Sequence, residues 1–167
     1  AREFTGRPVW VASSTVATMT FEDSLPRGLA GPAPSGPSFH TEAKAAVSRA
    51  FERAGLGPQD VSFTELQDNT CYYELAFPEE WGLCRPGEAE QLVAAGETVP
   101  TGRMPINPSG GFVSFGEATT AMGVFQIAEM TWQLRGQSGA RQVPGAKVGL
   151  AQTLGLGGNA TAAILKR

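Results

Sequence analysis

The chain has 167 residues, a net charge of −3 and only 17% charged residues. This length suits one domain with a sizeable core, and the weak negative charge, without clusters of Lys or Arg, argues against nucleic acid or an anionic membrane as a partner. No apolar run is long enough to predict a membrane span, and no signal or targeting segment is evident. Two cysteines, Cys71 and Cys84, do not make a disulfide framework, so we expect a cytoplasmic protein with free thiols.

The first part of the chain predicts a strand, an irregular loop, a helix and a second strand. Residues 7–18 are rich in β-branched side chains, whereas residues 24–40 are rich in Pro and Gly and predict no regular structure. His40, the only histidine, is interpreted as an ordinary loop residue because no catalytic partner lies near it in sequence. Apolar spacing predicts a helix over residues 41–55, and residues 61–66 predict a strand.

The remaining short elements complete an α/β pattern. Residues 67–70 form a junction at which Asp68 or Asn69 can cap a helix over residues 71–81, and a shorter helix is expected over residues 88–95. At the end of the chain, strands over residues 147–154 and 159–166 flank a glycine-rich turn and predict an antiparallel hairpin. Strands alternating with helices indicate a mixed sheet covered by helices.

The stretch from Met104 to Leu134 holds the most unusual loop and the most apolar helix. The sequence Asn-Pro-Ser-Gly-Gly at residues 107–111 is typical of a turn, and Thr119 or Thr120 can cap the helix that follows. Apolar side chains cover most of this helix, which predicts that it is buried between protein layers. Glu117 would then lie at a helix N-terminus inside the molecule. The few polar side chains of the helix form a narrow stripe of Gln126, Glu129 and Gln133.

This stretch resembles the C-terminal half of the thiolase superfamily, in particular thiolases of the sterol-carrier-protein type and their bacterial lipid-transfer relatives. The matching residues are the 107–111 run, Gly116, Gly123 and the sequence Trp-Gln-Leu-Arg-Gly at 132–136. The resemblance implies that residues 1–167 are one thiolase-like C-terminal domain, with a mixed five-stranded sheet covered by helices on both faces. It also implies that the N-terminal half, which carries the family's Cys nucleophile, is absent.

Two further motifs match the family in the same order, but each lacks the family's histidine. At the junction after residue 66, Gln67 replaces a His and Tyr73 replaces an Asn, whereas Asp68 and Glu74 are retained and Asn69 stands for a Cys. Near the end of the chain, Gln152 and Thr153 take the places of His-Asn before the turn at residues 155–158. Glu117 occupies the His position of a third motif, Gly-His-Pro.

The resemblance implies an acyl-CoA thioester as substrate, with no bound cofactor. One His with two Cys thirteen residues apart makes no plausible metal site. Thiolase chemistry needs a nucleophile, a base and donors for a thioester oxyanion. Glu117 can act as a base, Tyr72 or Tyr73 as an acid or oxyanion donor, and Gln67 as a donor that carries no proton, with Asp68 beside it. The residues expected to contact substrate are Gln152, Gly110, Gly111, Gly155, Gly157 and Gly158.

Several alternatives remain open at this stage. The combination fits an aldol-type cleavage better than acyl transfer to Cys, and thiolase-like aldolases of steroid side chains work with a small OB-fold partner that binds the acyl-CoA. The chain could instead be a non-catalytic subunit that binds a partner or an acyl-CoA, in which Glu117 pairs with an Arg and the tyrosines belong to the core. The apolar central helix predicts a second thiolase-like half or a homo-oligomer as its partner.

Overall fold

The structure, a computed structural model, describes residues 6–18, 41–155 and 158–167. The predicted loop over residues 24–40, including His40, and the predicted substrate contact Gly157 lie outside the described residues. The elements, in chain order, are β1 (Trp10–Thr18), α1 (Thr41–Ala54), β2 (Phe63–Glu65), α2 (Tyr72–Glu80), α3 (Ala89–Ala94), α4 (Gly111–Phe115), α5 (Met122–Arg135), β3 (Val148–Gly155) and β4 (Asn159–Lys166).

The strands form one mixed sheet in the order β1-β4-β3-β2, which confirms the predicted α/β class. Strands β3 and β4 are the predicted antiparallel hairpin, and β2 pairs parallel with β3. Within the described ranges the sheet has four strands, so the expected number of five was wrong. Beyond β2, Ile106 makes only an isolated parallel bridge to Thr64. Pro105 has no N–H to donate, and Asn107 turns the chain with a φ of 46°, so pairing does not continue.

Helices cover both faces of this sheet. On one face, α1 packs with its apolar stripe against β1 and β4. The stripe consists of Ala43, Ala46, Val47, Ala50 and Phe51, which follow helical spacing. On the other face, Met130 and Leu134 of α5 pack with Phe63 and Ala151. Gly149 makes this contact close, because a Cβ there would lie 2.7 Å from the Phe63 ring.

Helix α5 is oriented differently from the prediction of a helix buried nearly all round. Its polar stripe of Gln126, Glu129 and Gln133 is buried, whereas Val124, Phe125 and Trp132 are 68%, 49% and 47% exposed. The buried polar groups are satisfied, since Gln126 Nε2 donates to the Gln152 carbonyl at 2.9 Å and Gln133 Nε2 donates to the Arg141 carbonyl at 2.7 Å. No helix within the described ranges combines the length and the apolar character needed to cross a bilayer.

A buried carboxylate at the end of β2 holds the 107–113 loop. Glu65 is 2% exposed and accepts hydrogen bonds from the Ser109 N–H at 3.0 Å and from the Ser109 Oγ–H at 2.7 Å. Asn107 fixes the start of the loop, because its Oδ1 accepts from the Leu66 N–H at 2.8 Å and its Nδ2 donates to Glu74 at 2.7 Å. The predicted turn is thus a short anchored loop.

Burial raises the pKa of Glu65 from its ordinary value of 4.5 to about 8, although both hydrogen bonds from Ser109 oppose the shift. The folded chain therefore keeps a proton that the unfolded chain releases between these two pH values. Stability is fully present below pH 4.5 and falls as the pH rises towards 8.

We expect Glu65→Gln to remove this loss, because a carboxamide mimics the protonated carboxyl. The variant should exceed the wild-type free energy of unfolding at pH 8 by roughly 2 kcal/mol and match it near pH 5. Urea denaturation at both pH values measures the difference. Glu90→Gln, which removes an exposed carboxylate of α3, is the matched control and should leave the pH dependence unchanged. Equal pH slopes for wild type and Glu65→Gln would contradict the assignment.

Candidate functional site

A cleft of about 890 Å³ opens at the carboxyl ends of the parallel strands β2 and β3, beside the start of α5. In α/β sheets this is the usual position of a ligand. The cleft brings together residues from all three motifs that the sequence analysis identified, namely Gln67, Glu117 and Gly155. Its lining consists of Gln67, Asn69, Glu117, Thr119, Thr120, Gly123, Val124, Ile127, Thr153, Leu154 and Gly155.

Gln67 is a polar group of the cleft whose side-chain oxygen is held by two hydrogen bonds. Its Oε1 accepts from the Leu154 N–H at 2.6 Å and from the Thr153 Oγ–H at 3.0 Å. A backbone N–H can only donate, so the side-chain atom facing Leu154 must be the oxygen. The Nε2 amide group of Gln67 is therefore the donor that this side chain presents to the cleft.

Glu117 lines the cleft but is exposed, which corrects the prediction that it lies inside the molecule. Gly116, with a φ of 87°, turns the chain outward before Glu117, and α5 begins only at Met122. No side chain caps this helix. Thr119 and Thr120, which were predicted as caps, line the cleft instead.

Tyr72 and Tyr73 lie outside the described lining of the cleft. Tyr72 is 49% exposed, and Tyr73 stacks on Phe77 at 4.7 Å between ring centroids, which in turn stacks on Trp81 at 4.9 Å. Burial raises the pKa of Tyr73, and the neighbouring charge of Glu42 adds to this. This geometry gives Tyr73 a packing role on α2, while the assignment of either tyrosine as an acid or a donor stays a prediction.

Asp68 does not line the cleft but holds the start of α4. It was predicted as a possible helix cap, but α2 begins after Cys71 without a side-chain cap. Its carboxylate accepts instead from the N–H groups of Phe112 at 2.7 Å and Val113 at 3.5 Å, at the start of α4. Burial raises its pKa, and the Phe112 hydrogen bond opposes the shift.

Two glycines at the start of α4, Gly110 before the helix and Gly111 as its first residue, allow this contact with Asp68. Gly110 has a φ of 98°, and Gly111 has a φ of 66°. A Cβ on Gly111 would overlap the Asp68 carboxylate, and the positive φ already disfavours any other residue, so the position requires glycine. Neither Gly110 nor Gly111 lines the cleft, and their assignment to substrate binding stays a prediction.

Gln152 points to the other side of the sheet. It lies two residues after Leu150 and four after Val148 on β3, so it shares their face, and their side chains belong to the core under α1. Its Oε1 is 3.5 Å from the Gln67 backbone N–H, and its buried Nε2 has no hydrogen-bond partner within the described residues. Gln152 thus borders Gln67 without lining the cleft, and its substrate-binding assignment also stays a prediction.

At the hairpin turn, Gly155 ends β3 and lines the cleft, and its assignment to substrate binding stays a prediction. Gly158 has a φ of 76° and precedes β4. Of Gly155 and Gly158, the two predicted contacts in this turn that the structure describes, Gly155 lines the cleft and Gly158 does not.

Sequence reasoning missed Glu65, Thr153 and the cleft threonines before α5. The sequence holds one signal for Glu65 and one for Thr153. Glu65 is the only charged residue in the apolar strand over residues 61–66, and Thr153 occupies an Asn position of the family motif. Within the described part of the chain, no group of three or more His, Cys, Asp or Glu side chains is placed to hold a metal ion.

A second cleft, of about 430 Å³, lies on the exposed side of α5 next to the first. Phe115, Phe125 and Trp132 line its mouth, and Phe115 meets Phe125 edge to face at 6.1 Å. Glu129 and Arg141, which form an ion pair at 2.9 Å, also line it. We call the exposed apolar surface of Val124, Phe125 and Trp132, together with the adjoining Phe115 of α4, the outer face of α5. Glu117 lies between the two clefts, since Gly116 and Ala118 line the second.

Known proteins share this architecture and sequence. A family model described as "Thiolase C-terminal domain-like" matches residues 36–167. "Sterol carrier protein 2" of Rattus norvegicus is 46% identical over 123 residues, which are 74% of this chain and 22% of that protein. "Acetyl-CoA acetyltransferase" of Methanothermobacter thermautotrophicus is 34% identical over 171 residues, covering 100% of this chain and 42% of that protein.

Among solved structures, the "Ltp2-ChsH2(DUF35) aldolase" superposes with a TM-score of 0.76 and 25% identity, covering 96% of this chain and 40% of that chain. The chain therefore spans less than half the length of each of these relatives. The family match covers most of the residues that build the sheet, the loop and the cleft. On this evidence the chain belongs to the thiolase C-terminal domain-like family.

Proposed function

We propose that this chain is one half of a thiolase-like enzyme that breaks or forms a carbon–carbon bond in an acyl-CoA thioester. The observation that carries the proposal is the cleft itself, where an amide donor, Gln67, and a carboxylate, Glu117, line the same cavity. These are the two kinds of group that enolate chemistry requires, a hydrogen-bond donor for the enolate oxygen and a base for the proton.

The residue types in the cleft, an amide and a carboxylate with no His, favour an aldol-type cleavage over acyl transfer. In this reaction Glu117 takes the proton of a β-hydroxyl group, the bond between the α and β carbons breaks, and the electron pair moves to the thioester oxygen as an enolate. Gln67 Nε2 donates a hydrogen bond to that oxygen. The proton on Glu117 then returns to the α carbon, so the products are a carbonyl compound and a shorter acyl-CoA. No Cys nucleophile and no cofactor are required.

The shape of the cleft suits a bulky apolar acyl group of the lipid or steroid type. Val124, Ile127 and Leu154 form its apolar side, while Gln67, Asn69 and the threonines supply polar groups. An apolar wall with a few convergent polar groups is typical of small-molecule sites. Cys71 and Cys84 are free thiols, which supports a reducing, cytoplasmic setting.

A second polypeptide or domain would complete the site by covering the outer face of α5. This face exposes Phe125 and Trp132 by about half their surface each, at 49% and 47%. Contiguous exposed apolar surface of this kind marks an association site. The candidates are a second thiolase-like half, another copy of this chain, or an OB-fold partner that binds the acyl-CoA. The name of the structural neighbour joins Ltp2 to ChsH2(DUF35), which supports a two-component assembly.

The exposed position of Glu117 favours one alternative, a non-catalytic acyl-CoA-binding subunit. A carboxylate in water gains little as a base from its surroundings, and a binding protein needs no base at all. The enzyme function needs Glu117 as a base, whereas the binding function does not.

We expect Glu117→Gln to lower kcat of the assembled protein on a β-hydroxyacyl-CoA by at least about tenfold, because the base is lost. Release of the shorter acyl-CoA, followed by liquid chromatography and mass spectrometry, measures the rate. Glu90→Gln serves as the control and should not change it. Thioester binding without turnover in both the wild type and Glu117→Gln would establish the binding function instead.

If a partner covers the outer face of α5, a charge placed on this face should weaken the assembly. Phe125→Asp should break the assembly because it places a charge in the apolar contact, whereas Val93→Asp, at a position of α3 that is 46% exposed, should not. Sedimentation velocity of the protein isolated from its source reports the change as a smaller species. If another part of the same polypeptide covers the face, Phe125→Asp lowers the melting temperature instead. A wild-type protein that sediments as this single chain, with Phe125→Asp equally stable, would refute the contact.

A further inference from the structure

We infer that Thr153 is a positioning residue that locks the Gln67 amide with its N–H groups towards the cleft. This inference rests on the proposed function and names a residue that assists it. Gln67 follows β2 and Thr153 lies on the neighbouring strand β3, so the contact joins two of the three motifs. The Thr153 Oγ–H donates to Gln67 Oε1 at 3.0 Å, and the Leu154 N–H donates to the same oxygen at 2.6 Å.

The lock matters because a carboxamide has two nearly isosteric ends. With Oε1 towards the cleft, Gln67 would present an acceptor to a developing enolate oxygen and would repel it. The flipped state would also set Nε2 against the Leu154 N–H at 2.6 Å, which places two donors together. Thr153 adds a second donor to the same oxygen and restrains the side chain, so the amide is preorganised before charge develops.

The environment of Thr153 makes a clean substitution available. Thr153→Val removes only the hydroxyl and keeps the β-branched shape. The methyl group of Thr153, which faces Gly123 and would lie 3.6 Å from a Cβ there, is retained. Thr153→Ser keeps the hydroxyl. Thr161 pairs with Thr153 across the β3–β4 ladder and is exposed, so Thr161→Val makes the same chemical change without contact to Gln67.

The rate test uses the assembled protein and a β-hydroxyacyl-CoA. We expect Thr153→Val to lower kcat by about tenfold or more with KM within about twofold, because donation to the transition state weakens while substrate binding persists. Thr153→Ser and Thr161→Val should retain the wild-type kcat. A Thr153→Val variant with wild-type kcat, or a Thr161→Val variant with the same loss, would overturn the inference.

An orientation test separates this inference from the proposed function. Amide hydrogen exchange by NMR should show faster exchange of the Leu154 N–H in Thr153→Val and near wild-type exchange in Thr153→Ser. Gln67→Glu keeps an oxygen for Leu154 but puts a second oxygen in the cleft, so it should retain protection and lose turnover. Unchanged turnover in Gln67→Glu would refute the donor role within the proposed function. Lost turnover in Gln67→Glu, with unchanged Leu154 exchange in Thr153→Val, would overturn the positioning role alone.

Discussion

The candidate site depends on one interaction, the pair of hydrogen bonds that Ser109 donates to the buried carboxyl of Glu65 at the end of β2. A loop that crosses the edge of a sheet carries backbone N–H groups out of reach of water, and each needs an acceptor. Glu65 and Asp68, three residues apart, provide acceptors for the N–H groups of Ser109 and Phe112. These two contacts fix the course of the loop over the sheet. That path sets the start of α4, the outward turn at Gly116 and therefore the position of Glu117 beside the cleft. Burial of Glu65 raises its pKa and favours its neutral form near neutral pH.

Most of the fold could be predicted from the sequence because periodicity and turn residues report local structure. The β3–β4 hairpin and the helix ended by Gly55 came from such signals. The orientation of α5 could not be predicted in this way. Hydrophobicity indicates that a surface is covered, but it does not indicate which layer covers it. In α5 the polar residues Gln126 and Gln133 bind backbone groups of the chain itself, which leaves the apolar side exposed. A helix of this kind has two buried sides only when a partner supplies the second.

The site was predictable to the extent that topology determines it. The carboxyl ends of parallel neighbouring strands meet at one edge, so motifs that follow β2 and β3 had to converge, and Gln67 and Gly155 do. Side-chain direction was harder. Tyr73 occupies an Asn position of the family motif, and for that reason it was predicted to act as an acid or a donor. Its spacing of four residues to Phe77 instead produces an aromatic stack along α2. The hydrogen bond from Thr153 to Gln67 spans 86 residues of sequence, and no local pattern reports such a pair.

Gln67 and Glu117 stand at positions where the family motifs have histidines, so hydrogen-bond donation and proton transfer fall to two different side chains in the proposed reaction. A histidine can donate a hydrogen bond and also carry a proton, whereas Gln67 can only donate. In the proposed reaction the carboxylate of Glu117, which is exposed in this chain, handles the proton. Glu117 lies between the cleft and the outer face of α5, so a partner seated on that face would also exclude water from the carboxylate. Desolvation strengthens both the base and the hydrogen bond to the enolate oxygen, because charges interact more strongly away from water. In the proposed function, assembly and catalysis would therefore be coupled through the same short segment, residues 115–118.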